Sequence, residues 1–180
     1  MTESISRRNA ALALLAIAAA AAHAQPAASN VPNWVEISPR LVTSGQPSAG
    51  ALAGLAAQGF EAVVYLAPPT VGDAVRDEAS IVAKQGLVFV NIPIPFGNPS
   101  DKHFDDVAAV LQALKDRKVL VHCQINMRAS TMVFLYRSIV LRDDPREAYK
   151  SVSRIWTPEG PWRQLAERQL RKHGIAFEFF

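Results

Sequence analysis

Val119-Leu120-Val121-His122-Cys123-Gln124-Ile125-Asn126-Met127-Arg128-Ala129-Ser130 decides how this chain is read. Three apolar residues make a short buried strand, which runs into a histidine and the only cysteine of the sequence. A tight loop follows, and from Ser130 to Leu141 the residues are mostly apolar in a helical pattern, with Ser130 able to cap that helix. A strand–loop–helix turn of this kind aims backbone N–H groups and the positive end of a helix at one point. A sulfur at the start of the loop sits in that positive field, which favours the thiolate. The same field can hold a tetrahedral oxyanion against the sulfur. A nucleophile and an anion cradle in one loop is what phosphoryl transfer through a covalent thiophosphate requires.

Outward from that loop, apolar runs alternate with helical patterns. Leu41-Val42-Thr43 is a short strand ending in the turn Ser44-Gly45-Gln46-Pro47. Ser48 caps a helix carrying Leu52, Leu55 and Ala56, which Gly59 stops. Ala62–Leu66 and Leu87–Ile92 read as buried strands, with a helical pattern over Asp73–Gln85 between them. Pro93–Ser100 is a loop stiffened by three prolines, and Ser100 or Asp101 opens a helix with Phe104, Val107, Leu111 and Leu114 on one face. Asp144-Pro145-Arg146-Glu147 opens another helix, and the last runs from Pro161 to His173. The alternation predicts an α/β fold: a single-layer, mostly parallel sheet of about four to five strands flanked by helices.

The chain has 180 residues, 49% hydrophobic and 19% charged, which excludes disordered, collagen-like and coiled-coil classes. A net charge of +3 without a concentrated basic face does not point to nucleic acid. One cysteine excludes an intrachain disulfide and a multi-thiolate metal site, and His103 and His173 are too scattered to suggest a metal. No cofactor is expected. Ser6-Arg7-Arg8, the thirteen apolar residues Ala10–Ala22 and Ala22-His23-Ala24 read as a signal peptide over residues 1–24, cut after Ala24. The run is shorter than the ~20 residues that span a bilayer, so no stable membrane anchor is expected after cleavage. The expected location is periplasmic or secreted. Residues 25–33 read as a loose N-terminal arm, and residues 34–180 as one domain.

The cysteine loop resembles that of the cysteine-dependent protein tyrosine/dual-specificity phosphatase superfamily, which reads His-Cys, five residues, Arg, then Ser or Thr. Leu41–Ser48 (LVTSGQPS), Gly59–Leu66, Asp77-Glu78 and Gly86–Pro93 are similar, more narrowly, to a bacterial phosphatase-like subgroup associated with beta-lactamase-hydrolase-like proteins. The resemblance covers Trp34 to Leu141. It implies hydrolysis of phosphate monoesters, Cys123 as nucleophile, and Gln124, Ile125, Asn126, Met127, Arg128 and Ala129 around the phosphate. It also implies that Ser130 eases departure of the thiolate and that His122 is a hydrogen-bonding group behind the nucleophile. The partner so implied is a phosphorylated substrate or another oxyanion.

Two departures from the pattern bear on activity. The arginine of the family falls at Ala129, and Arg128 comes one residue early, so it is a clamp on phosphate, a brace of the loop from outside or an exposed surface charge. The general acid of the family lies on the loop after the preceding strand. Pro95 occupies a place where related sequences carry it, and Asp101 is the nearest carboxylate, with His103 and Asp105 behind it. These departures leave two rivals to a phosphatase: a non-catalytic phosphate- or protein-binding module that kept the fold, and a rhodanese-like sulfurtransferase, whose shorter loop the Cys-x4-Arg spacing matches.

Overall fold

The computed structural model describes residues 30–179. Two short antiparallel strands open it, β1 (Val35–Ser38) and β2 (Leu41–Ser44). Next come α1 (Ala49–Ala53), a 3-10 turn (Ala56–Gln58), β3 (Ala62–Tyr65), α2 (Glu78–Ala83) and β4 (Val88–Asn91). α3 (Asp101–Ala113) leads to β5 (Val119–His122), and α4 (Met127–Ile139), α5 (Pro145–Ser153) and α6 (Gly160–Lys172) complete the chain. The strand order is β1-β2-β5-β3-β4, and every pairing except β1 with β2 is parallel.

β5 lies in the middle of the sheet because all four of its residues are buried, as a strand covered on both faces demands. Side chains alternate across it. Leu120 packs with Val42, Val63, Leu52, Leu55 and Val82 beneath α1 and α2. Val119 and Val121 join the larger core with Phe104, Met132, Phe134, Leu165 and Leu170, from α3, α4 and α6. That alternation turns His122 toward α2, and Cys123 packs with the larger core.

Most expected elements lie where the sequence puts them, and three expectations need correction. The helix after the cysteine starts at Met127, so Ser130 is a buried residue of the first turn rather than its cap. Asn126, at φ 71°, makes the left-handed turn into α4. The helix expected over Asp73–Gln85 begins only at Glu78, because Asp77 at φ 63° is not helical and residues 67–77 form an irregular turn. The arm is not loose at its C-terminal end: Val31 is buried, the Pro32 carbonyl accepts from Gly45 N at 2.7 Å, and Asn33 is bonded to the cysteine loop. The signal peptide and residues 25–29 lie outside the described residues.

Candidate active site

β5 delivers Cys123 to the end of the sheet between β2 and β3, and Cys123 N donates to the Ser44 carbonyl at 3.2 Å. The first two carbonyls of the loop that follows are held from outside, and the next two from within α4. Gln124 O accepts from Gln46 N at 2.9 Å, and Ile125 O from Asn33 Nδ2 at 2.9 Å. Asn126 O accepts from Ser130 N, and Met127 O from the hydroxyls of Ser130 and Thr131. Among the described residues, the N–H groups of Gln124, Met127, Arg128 and Ala129 meet no backbone acceptor. The last three are the orphan donors that open α4.

Gly45 explains why LVTSGQPS accompanies such a loop. A Cβ at position 45 would lie 2.8 Å from Gln124 O and 3.0 Å from Pro32 O. Only glycine lets β2, the arm and the loop meet there. Asn126 ties down the other side, its Nδ2 donating to Asn33 O at 2.7 Å and Thr43 Oγ1 at 3.1 Å.

Behind the loop lies a buried polar set. His122 Nε2 and Glu78 Oε1 share a hydrogen bond of 2.6 Å, and Gln46 Nε2 donates to Glu78 Oε2 at 3.0 Å. The His122 ring stacks on Tyr65, with centroids 4.7 Å apart. The Tyr65 hydroxyl is pushed up to about 12, first by burial, then by the charges of Glu78, Asp73 and Cys123, with Arg128 opposing them. Those groups therefore share one neighbourhood. Glu78 is thus the hydrogen-bond partner of His122.

The Arg128 side chain is buried and turned toward the segment after β4. Nε donates to the Ile94 carbonyl at 2.9 Å, and Nη1 to Gln124 Oε1 at 3.3 Å. Its guanidinium carbon lies 5.0 Å from the centroid of the Phe96 ring. The guanidinium thus joins Gln124 of the cysteine loop to the segment after β4. Ala129, in the position of the family's arginine, is fully buried in the core. Cys123 is 0% exposed.

Residues 19–172 match the family model described as "DSP-PTPase phosphatase fused to NAD+ Kinase". The chain belongs to this family of phosphatases. The crystal structure of a DUF442 protein from Shewanella putrefaciens is 25% identical, with 81% of this chain and 95% of that one covered and a TM-score of 0.74. Tk-PTP in its active form is 26% identical, with 78% and 95% covered and a TM-score of 0.62. A cysteine-to-serine form of P. aeruginosa TpbA in complex with pTyr shares the fold at 23% identity, with 67% and 72% covered and a TM-score of 0.55. No curated protein matches. These likenesses place the chain in the cysteine-phosphatase superfamily, among phosphoric monoester hydrolases, and favour that reading over the sulfurtransferase one.

The carboxylates of this phosphatase are not where the sequence leads one to look. Asp101 is the first residue of α3, and its Oδ1 accepts a hydrogen bond of 2.9 Å from Arg168 Nε on α6 and lies 2.8 Å from Arg168 Nη2 as an ion pair. That contact holds its carboxyl below the usual range. His103 completes the cap of α3 with Ser100. The carboxylate that does touch the loop is Asp73, whose Oδ1 accepts from Gln124 Nε2 at 2.8 Å. Sequence reasoning missed it because a helical period runs through residues 73–85, and it left Glu78 without a role because its partner lies 44 residues away. Beside the loop, Met127, Phe96, Trp156 and Trp162 line a hollow of about 460 Å³. Among the described residues no group of three or more His, Cys, Asp or Glu could hold a metal, and no helix is long and apolar enough to cross a membrane.

Proposed function

We propose that the protein hydrolyses phosphate monoesters through a thiophosphate on Cys123. The observation that carries this reading is the loop's polarity: its first two carbonyls are tied outward to Gln46 and Asn33, while Cys123 leads into the open N–H groups at the start of α4. In the first step the Cys123 thiolate attacks phosphorus, the S–P bond forms and the P–O bond to the leaving group breaks. The amides of Gln124 to Ala129 hold the non-bridging oxygens, and the helix end adds its positive field. In the second step water attacks phosphorus, the S–P bond breaks, phosphate leaves and the thiolate is restored. Cys123 has no exposed surface, so substrate reaches the sulfur only when side chains over it move aside. Arg128 contributes charge and keeps the 92–97 loop in place.

Release of phosphate from an aryl phosphate under reductant tests this, with Cys123→Ser as comparison. The unaltered protein turns over and Cys123→Ser falls to background; equal rates remove the catalytic claim. One observation favours a second reading. Arg128 Nε is already committed to Ile94 O, so a module that binds oxyanions without turnover accounts for the same loop. Vanadate or phosphate binding with no Cys123-dependent release would select it.

We also propose that the protein is exported, on the strength of the charged start, the apolar run and the Ala22-His23-Ala24 site. N-terminal sequencing of the protein from the periplasm or medium of a bacterial host finds Gln25 first. An intact Met1 start inside the cell contradicts it.

A further inference from the structure

We propose that Asp73 is the proton donor to the leaving group, which names the general acid of the reaction proposed above and rests on that reading. The segment from Ile92 to Ser100 contains no carboxylate, and the first one after it, Asp101, is held by Arg168. The acid must therefore come from elsewhere. Asp73 lies on the turn between β3 and α2 and is exposed. Its Oδ1 takes the Gln124 amide at 2.8 Å, and the other end of that amide takes Arg128 Nη1 at 3.3 Å. Asp73, Gln124 and Arg128 thus form one chain across the residues next to Cys123. Asp73 Oδ2 has no hydrogen-bond partner among the described residues, so one oxygen is anchored and the other is open. The root of the turn is fixed by the Tyr65 hydroxyl donating to Pro68 O at 3.4 Å and by Pro68-Pro69. The Tyr65 hydroxyl also feels the charges of Asp73, Cys123 and Arg128 together.

In the first step the Asp73 carboxyl gives its proton to the leaving oxygen as that oxygen parts from phosphorus. In the second step the Asp73 carboxylate takes a proton from the attacking water, which restores the carboxyl as phosphate and the Cys123 thiolate separate. No further reactant is needed.

The test is leaving-group dependence in the full protein, with an aryl phosphate whose phenol is acidic and an alkyl phosphate. General acid catalysis is worth ~10²–10⁴-fold where the leaving oxygen needs a proton and far less where it departs unaided. Asp73→Asn therefore lowers kcat/KM for the alkyl ester by ~10²-fold or more and for the activated aryl ester by less than about tenfold. A thermal melt of the same variant reads whether the fold has changed, and Gln124→Ala, which cuts the bridge but keeps the carboxyl, changes kcat/KM for the two esters by a similar factor. An equal loss on both esters makes Asp73 a residue that only positions Gln124, and overturns the inference. So does no loss on either, or a selective loss in Asp101→Asn instead. If the unaltered protein shows no Cys123-dependent turnover, the phosphatase reading itself falls, and the inference with it.

Discussion

At the scale of single residues, the loop depends on two positions whose side chains never touch a substrate. Gly45 leaves room for the Gln124 carbonyl, and Asn126 turns the chain into α4 while holding Asn33 and Thr43. Gly45→Ala puts a methyl group against two backbone carbonyls that cannot rotate away, so the loop or the arm must shift. Overpacking of this kind costs on the order of 1–3 kcal/mol. We expect a fall of several degrees in Tm and a larger loss in phosphate release, because the displaced carbonyl belongs to the residue after the nucleophile. A Gly45→Ala protein with unchanged melting and turnover would contradict the close approach. Asn126 was legible as a residue suited to a left-handed turn. The two bonds of its side chain were not, because they reach residues 33 and 43, more than eighty positions away.

At the scale of elements, β5 and α2 are joined through His122 and Glu78, and the strand end that carries Cys123 is positioned by that contact. Both side chains are nearly or fully buried. Removing the carboxylate leaves the imidazole and the Gln46 amide without a partner, at a cost of roughly 1–3 kcal/mol for an unpaired buried group. Glu78→Ala therefore melts several degrees lower and loses activity, and Glu78→Gln, which keeps a hydrogen-bonding oxygen, recovers much of both. Equal melting of the three proteins would show that the contact does not support the strand. α3 and α6 are pinned differently, by the exposed Asp101–Arg168 pair, and a pair of that kind contributes little. Its lowered carboxyl makes any contribution present above the ordinary aspartate range and lost as pH falls through the folded value.

At the scale of the whole molecule, the sheet was readable because buried parallel strands are continuous apolar runs, as in Ala62–Tyr65 and Val119–His122. β1 was harder: Val35-Glu36-Ile37-Ser38 alternates, and its place depends on pairing with β2. Helix starts set by a left-handed residue, at Asp77 and Asn126, lie where periodicity carries no signal. The same limit hid Asp73, which reaches Gln124 only because α2 starts late. The cysteine loop itself was legible from its residue order, and the direction of Arg128 was not, since it depends on where Ile94 and Phe96 stand in the fold. All these parts converge on a single sulfur. Intact-mass analysis of protein quenched in acid during turnover of an aryl phosphate asks whether that sulfur carries the phosphoryl group. The account predicts a species heavier by one phosphoryl group, mapped to the peptide containing Cys123 and missing in Cys123→Ser. Steady turnover with no such species, or with the label on any other residue, would contradict it.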